Sequence, residues 1–169
     1  MKFSELAVRV AVTPFGASVD RYCVRFFGES PVSWIFAKSE GIDYNPPILL
    51  TTKGRKTGQD RTVVLPHFRA DVLGEAGRIA VVGSRGGMPT DPFWARNLKA
   101  HLQASIWYER REIPVDVELL EGAAREPLWK SITERSPIYL AYQERARETR
   151  EIPVFVLRAR DGSQLTAPD

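Results

Sequence analysis

The sequence predicts an α+β fold, a small barrel or sheet of mainly antiparallel strands that carries a few helices and follows an amphipathic helical N-terminus. Three observations predict it. Apolar residues in the first forty positions recur at helical spacing. From Ile48 onward, short β-prone runs end in glycine turns. Two of those runs, Ser105 to Glu109 and Ile113 to Leu120, alternate as an antiparallel pair does. A chain of 169 residues with 43% hydrophobic content suits one domain with a real core.

Taken in order, Phe3, Leu6, Ala7, Val10 and Ala11 form one helical stripe. After a break at Thr13-Pro14-Phe15-Gly16, Val19, Tyr22, Cys23, Phe26 and Phe27 form a second. These stripes are expected to cover one face of the domain. The alternative is that Phe26, Phe27, Trp34 and Phe36, beside Lys2, Arg9, Arg21, Arg25 and Lys38, rest on a membrane or roof a pocket. The helical segment is expected over 1–45, with 41–47 as a linker, the barrel over 46–160, and a frayed tail over 161–169.

Within the barrel, Ile48 to Thr52 and Thr62 to Phe68 read as strands, and Arg78 to Ser84 as a third ended by Arg85-Gly86-Gly87. Asp91-Pro92 predicts an N-cap with proline at the first helical position, and a helix to about Leu102 with Phe93, Asn97 and Ala100 near one face. Ala123 to Glu134 and Pro137 to Arg147 read as helices, and Ile152 to Leu157 as the closing strand.

The stretch between the first two strands carries the chemistry. It holds two glycines, Gly54 and Gly58, and the cations Lys53, Arg55, Lys56 and Arg61. The spacing is not G-x-x-x-x-G-K-[ST], and no helix follows, so this is not the phosphate loop of nucleotide hydrolases. No G-x-G-x-x-G occurs either. What remains is a hairpin whose backbone N–H groups and cations suit a phosphate or carboxylates, with a solvated basic turn as the plain alternative.

Composition narrows the partners. A net charge of +3 permits acidic ligands or an anionic membrane surface, but the cations are not gathered as nucleic-acid binding requires. The single cysteine, Cys23, favours a reducing, cytoplasmic compartment and is expected as a small buried hydrophobe. No apolar run is long enough to span a bilayer, which leaves a soluble or peripherally attached protein. His67, expected on a strand, and His101, expected at a helix end, lack metal-ligand spacing, so no metal site is expected. A cationic cradle with aromatic groups and no acid–base cluster fits a domain whose reactivity comes from a bound organic cofactor.

Several stretches together resemble the deazaflavin-dependent nitroreductase family, small split-barrel proteins that bind the 8-hydroxy-5-deazaflavin coenzyme F420. They are Leu49-Leu50-Thr51-Thr52 with Gly54-Arg55-Lys56-Thr57-Gly58-Gln59 and Arg61; Val81-Val82-Gly83-Ser84-Arg85-Gly86-Gly87; and Pro92-Phe93-Trp94 with Asn97-Leu98-Lys99-Ala100. Tyr139, Tyr142-Gln143 and Arg150-Glu151-Ile152-Pro153-Val154 follow in register. The resemblance runs from about residue 46 to 158 and implies a split β-barrel.

It also implies a set of roles. Arg55, Lys56, Thr57 and Arg61 would hold the phosphate and oligoglutamate tail of the coenzyme. Val63, Val64 and Leu65 would pass beside the deazaflavin ring, and Gly83, Ser84 and Arg85 would bring backbone close to it. Phe93, Trp94 and Asn97 would complete the cleft, with Tyr139 closing over it near the substrate. The implied reaction passes a hydride from the reduced coenzyme to a quinone, nitroaromatic or activated alkene, and a hydroxyl such as that of Tyr139 or Ser136, or water, supplies the proton.

Four departures stand out against the family pattern. Ser136 replaces a tyrosine of nitroreductase members, Asp60 replaces a common proline and puts an anion beside the tail site, Val64 replaces another common proline, and Arg85 replaces a common lysine and keeps its charge. A non-catalytic lipid- or fatty-acid-binding relative at a membrane surface, or one that binds FMN or haem, is the alternative. Monomer and homodimer both stay open.

Overall fold

The computed structural model describes residues 13–40 and 45–165. The first predicted stripe, residues 41–44 and residues 166–169 lie outside the described residues. Helix α1 spans Pro14–Phe27. The expected break at Thr13 to Gly16 is instead its start. The Thr13 side chain accepts a hydrogen bond from the Gly16 N–H (3.1 Å), and Pro14 takes a first-turn position where no amide donor is missed. Helix α2, Pro31–Glu40, is capped by Ser30, whose hydroxyl accepts from the Ser33 N–H and donates to buried Asp20 (2.8 Å). That contact ties the two helices together.

The predicted second stripe exists, but it faces outward. Phe15, Val19, Tyr22, Phe26 and Phe27 are exposed, while Asp20 and Val24 point inward and Cys23 is only half-buried. The expectation that the stripe covers the domain is therefore corrected. A helical stripe shows that one face is apolar; tertiary packing decides which face meets the protein.

The body is a seven-stranded sheet in which every neighbouring pair is antiparallel. The strands are β1 (Ile48–Lys53), β2 (Asp60–Leu65), β3 (Phe68–Arg69), β4 (Arg78–Val82), β5 (Gln103–Tyr108), β6 (Arg111–Leu120) and β7 (Val154–Ala159). Their order is β2-β1-β5-β6-β7-β4-β3. The run expected to continue from Thr62 to Phe68 splits at Pro66, which has no N–H for a ladder. His67 thus sits between strands, buried and edge-on to Tyr108. The consequence is architectural. β2 and β3 occupy opposite edges of the sheet, yet only Pro66 and His67 join them, a reach of about 11 Å at most. The sheet must curl to bring its edges that close, and it does so as the half-barrel of a split β-barrel fold.

Alternation along the strands builds two cores. Ile79, Val81, Phe155 and Leu157 point into one with Leu50, Leu98, Ile106 and Ile113. Ala80, Val82, Val154 and Val156 point into the other with Leu128, Ile132 and Tyr139. The second is covered by α4 (Gly122–Arg135) and α5 (Ile138–Ala146), and α3 (Phe93–Ala100) packs on the first through Leu98.

Two motifs singled out in the sequence turn out to join these layers. The Gln143 side-chain oxygen accepts from the Ile152 N–H (2.8 Å), and its amide donates to the Arg150 carbonyl (3.1 Å). Arg125, 2% exposed, donates to the Ile152 carbonyl and lies 3.9 Å over the Trp129 ring. The tail expectation is also corrected for 161–165. Leu165 is buried in the first core, and its N–H donates to the Gly77 carbonyl (3.1 Å).

Candidate functional site

The β1–β2 turn is wound around one carbonyl. The Gly54 oxygen accepts from the N–H groups of Thr57 (3.1 Å) and Gly58 (2.7 Å), and the Gly54 N–H donates to Gln59 (2.8 Å). Gly58 has φ +66, where a side chain would be strained. Arg55, Lys56 and Thr57 stand exposed on this turn.

Asn97 fixes this turn to the body. Its Oδ1 accepts from the Arg55 N–H (3.1 Å), and its Nδ2 donates to the buried Thr52 hydroxyl (3.1 Å). The polar side chain expected on the cleft face is therefore engaged with the hairpin. The α3 start also differs from expectation. Phe93 is the first helical residue, Pro92 is the cap, and Asp91 pairs with Arg150 and Lys99 (2.8 Å each).

Between hairpin and α3 lies a groove of about 830 Å³. Arg55, Lys56, Thr57, Arg61, Val63, Phe93, Trp94 and Asn97 all line it, as the resemblance implies. Two cations join that sequence reasoning missed as site residues: Arg21 from α1 and Arg96 from α3. Arg96 had a local signal, since it lies three positions after Phe93 and so shares its face. Arg21 entered only among the cations beside the N-terminal aromatics, and it is tertiary packing that brings α1 beside the hairpin.

The carboxylate among the described lining residues, Asp60, pairs with Lys53 across the ladder at 2.7 Å. Both partners are exposed, so the pair is weak, but it turns the anion toward Lys53. Arg96 lies 4.4 Å over the Phe93 ring, and its buried Nε takes no hydrogen bond among the described residues.

The other candidates lie elsewhere. Val64 points opposite to Val63 by strand alternation, while Leu65 packs on the first core. Gly83 was expected to leave room for a ligand, but a Cβ there would stand 2.8 Å from Pro153 Cγ and 3.3 Å from Ala95 Cβ. Its smallness serves packing. Ser84 and Arg85 form a tight turn, with Arg85 at φ +48 and its guanidinium donating to Thr90 (2.7 Å). Ser136 ends α4. Tyr139 is 8% exposed and meets Phe68, Trp129 and Tyr142 edge-on. Burial, with a smaller contribution from Tyr142, holds its hydroxyl pKa well above the usual tyrosine range.

A curled antiparallel half-barrel with a cationic, partly aromatic groove defines a split-barrel protein suited to an anionic organic molecule. Among the described residues, no His, Cys, Asp and Glu group could hold a metal ion. The profile of the F420H(2)-dependent quinone reductase family matches residues 34–159. An F420H(2)-dependent quinone reductase of Mycobacterium tuberculosis is 33% identical over 120 residues, 68% of this chain and 74% of that protein. A solved F420-H2 dependent reductase is 38% identical, with a TM-score of 0.54, over 67% of this chain and 94% of its own. Another solved structure, described as a domain-swapped dimer, is 34% identical, with a TM-score of 0.55, over 76% of this chain and all of its own. The chain belongs to the F420H(2)-dependent quinone reductase family, whose members are oxidoreductases dependent on coenzyme F420.

The Asn97 clamp yields a prediction. Asn97→Ala leaves the buried Thr52 hydroxyl without that donor, and chemical denaturation should show a loss of about 1–3 kcal/mol. An unchanged midpoint would mean that the hairpin is held by its ladder alone.

Proposed function

We propose that this protein uses reduced coenzyme F420 to reduce a quinone-like hydrophobic acceptor, with the anionic tail of the coenzyme in the groove between hairpin and α3. The observation that carries this reading is the gathering of Arg21, Arg55, Lys56, Arg61 and Arg96 around one groove. A tail with a phosphate and several carboxylates suits that many donors. The bound coenzyme supplies the hydride, from carbon C5 of its ring.

In this reading the protein orients and excludes water. Arg55, Arg61 and Arg96 grip anionic oxygens, Lys56 acts as a point charge, and the Thr57 hydroxyl donates. Val63, Phe93 and Trp94 offer the apolar wall against which a flat ring would rest.

Tyr139 packs in the second core with Phe68, Trp129 and Tyr142 and is not the proton source in this reading. A hydroxyl whose pKa is raised by burial is a weaker acid. Water, or the half-buried Ser136, is the better source.

A second observation concerns how an acceptor arrives. The exposed Phe15, Tyr22, Phe26 and Phe27, with Arg25 and Lys38 nearby, suit the interface of an anionic membrane, where hydrophobic quinones reside. Among the described residues no helix is long and apolar enough to cross a membrane.

Titration with oxidised coenzyme, followed by tryptophan fluorescence, should give salt-sensitive binding. Lys56→Ala with Arg61→Ala should weaken it about ten- to a hundredfold at low salt and flatten the salt dependence. Unchanged affinity would remove the tail from this groove. Tyr139→Phe should keep most of the quinone reductase rate; a loss of a hundredfold or more would restore the hydroxyl as proton donor. In sedimentation with anionic vesicles, Phe26→Ser with Phe27→Ser should abolish co-pelleting, and equal pelleting of both forms would sink the membrane contact.

A further inference from the structure

A second cavity, of about 340 Å³, lies at the far end of the β1–β2 pair from the cationic hairpin. That volume is at the small end of the range, about 300–1,000 Å³, that small-molecule sites occupy. Val24 of α1 lines it with Ile48, His67 and Tyr108, all of them buried. Pro46 and Pro47, which have no N–H to offer, continue the lining before β1. Trp107 joins them and is also where α1 is fastened. Its Nε1 donates to the Arg25 carbonyl (3.1 Å), and the Arg25 guanidinium lies 4.5 Å over its ring.

The cavity and the groove differ in charge. Among the described residues, five cations meet one carboxylate, Asp60, in the groove, whereas Glu109 and Arg110 give the cavity one exposed charge of each sign. These two residues form the β5–β6 turn at φ +47 and +63, the left-handed arrangement in which Asn-Gly is usual. Residues with long side chains are strained there, so the turn keeps both on the cavity at a cost to the backbone. An anion gains no net attraction from such a balanced pair. A flat apolar ring, by contrast, meets the rings of His67, Trp107 and Tyr108, of which His67 and Tyr108 already stand edge-on with centroids 6.1 Å apart.

We propose that this cavity is a second ligand site, for a small neutral aromatic molecule, and that α1 links it to the groove. Arg21 lines the groove and Val24 the cavity, about 4.5 Å apart along one helix. The strand pair connects them as well. Val63 lines the groove, and Leu65, next on the same face of β2, pairs with Ile48 of the cavity. A ligand packed on Val24 holds α1 against the body, and that same placement keeps Arg21 at the groove. Each ligand therefore favours the arrangement the other needs, and the linkage is reciprocal. The link rests on the coenzyme reading above; the cavity does not.

Calorimetric titration with 1-naphthol, a neutral two-ring probe, tests the cavity by itself. It should bind at one site with an affinity that salt leaves unchanged. Both 1-naphthalenesulfonate and 1-octanol should compete with it at least tenfold more weakly than 2-naphthol does. In a Cys23→Ser, Glu109→Cys variant, attaching a bulky maleimide to the already folded protein should abolish naphthol binding, while the unlabelled variant binds as wild type does. Saturating 1-naphthol should then tighten the binding of oxidised coenzyme F420 to wild type at least threefold, and should leave it unchanged in the labelled variant. The site is overturned if naphthol does not bind, if its binding survives the label, or if the sulfonate or octanol competes as well as 2-naphthol. A coenzyme affinity indifferent to naphthol overturns the link. Protein that binds naphthol but no coenzyme sinks the coenzyme reading of the groove, and the link with it, and upholds the cavity as a ligand site.

Discussion

The two-residue passage from β2 to β3 is the constraint on which the rest depends. Strands at opposite edges of a seven-stranded sheet cannot be joined through Pro66 and His67 unless the sheet curls until those edges nearly meet. Curling makes one face concave and fills it with Leu50, Ile106, Ile113 and Phe155. The convex face then needs its own cover, which α4 and α5 provide over Val154 and Val156. It also sets the β1–β2 hairpin beyond the packed body, where α3 and α1 come alongside it. The groove is a consequence of closure, and its cations are drawn from three elements far apart in sequence.

Such a groove is electrostatically unbalanced without a ligand. Like charges gathered on one surface repel, so each cation costs a little of the folded state's stability. The structure limits that cost in visible ways. Lys53 is offset by Asp60, Arg61 donates to Gln59, and Arg96 spreads over an aromatic face. An arriving polyanion relieves the remaining repulsion, which places part of its binding energy in the charge pattern itself. Exposure makes that share sensitive to salt. The apolar wall of Val63, Phe93 and Trp94 is insensitive to it, so the groove combines two kinds of attraction.

Local features were legible in the sequence, and those set by distant contacts were not. The hairpin could be read because its glycines, cations and flanking β-runs lie within one stretch, and the antiparallel pair over residues 103–120 could be read because alternation reports a strand's two faces. The split at Pro66 was visible in principle, as a proline without a ladder donor, but the β-prone residues around it masked the boundary. The outward turn of Phe15, Tyr22 and Phe26 was not readable. Periodicity identifies a stripe, and burial of Asp20 against Ser30 on the other side of α1 gives no sequence signal. Leu165 looked like part of a tail because nothing near it announces the Gly77 carbonyl that holds it. Arg150 shares the same difficulty, since the carbonyls its guanidinium meets lie 62 to 67 positions away.

Burial sorts the arginines into two trades. Arg55, Lys56 and Arg61 keep their charge in water, where it attracts a ligand at long range and is screened. Arg125 and Arg150 are withdrawn from water, which lowers the pKa of each, while Glu151 and Glu126, or Asp91, push back. Taking a guanidinium out of solvent is costly unless its donors are met, so a buried arginine demands carbonyls in fixed places. Arg125 meets the Ile152 carbonyl and the Gln143 amide, and Arg150 meets Gly83, Ser84 and Met88. The demand works in reverse as well. Carbonyls that must face a guanidinium cannot face a ligand. A partly buried positive charge thereby fixes which way the Gly83 and Ser84 carbonyls face.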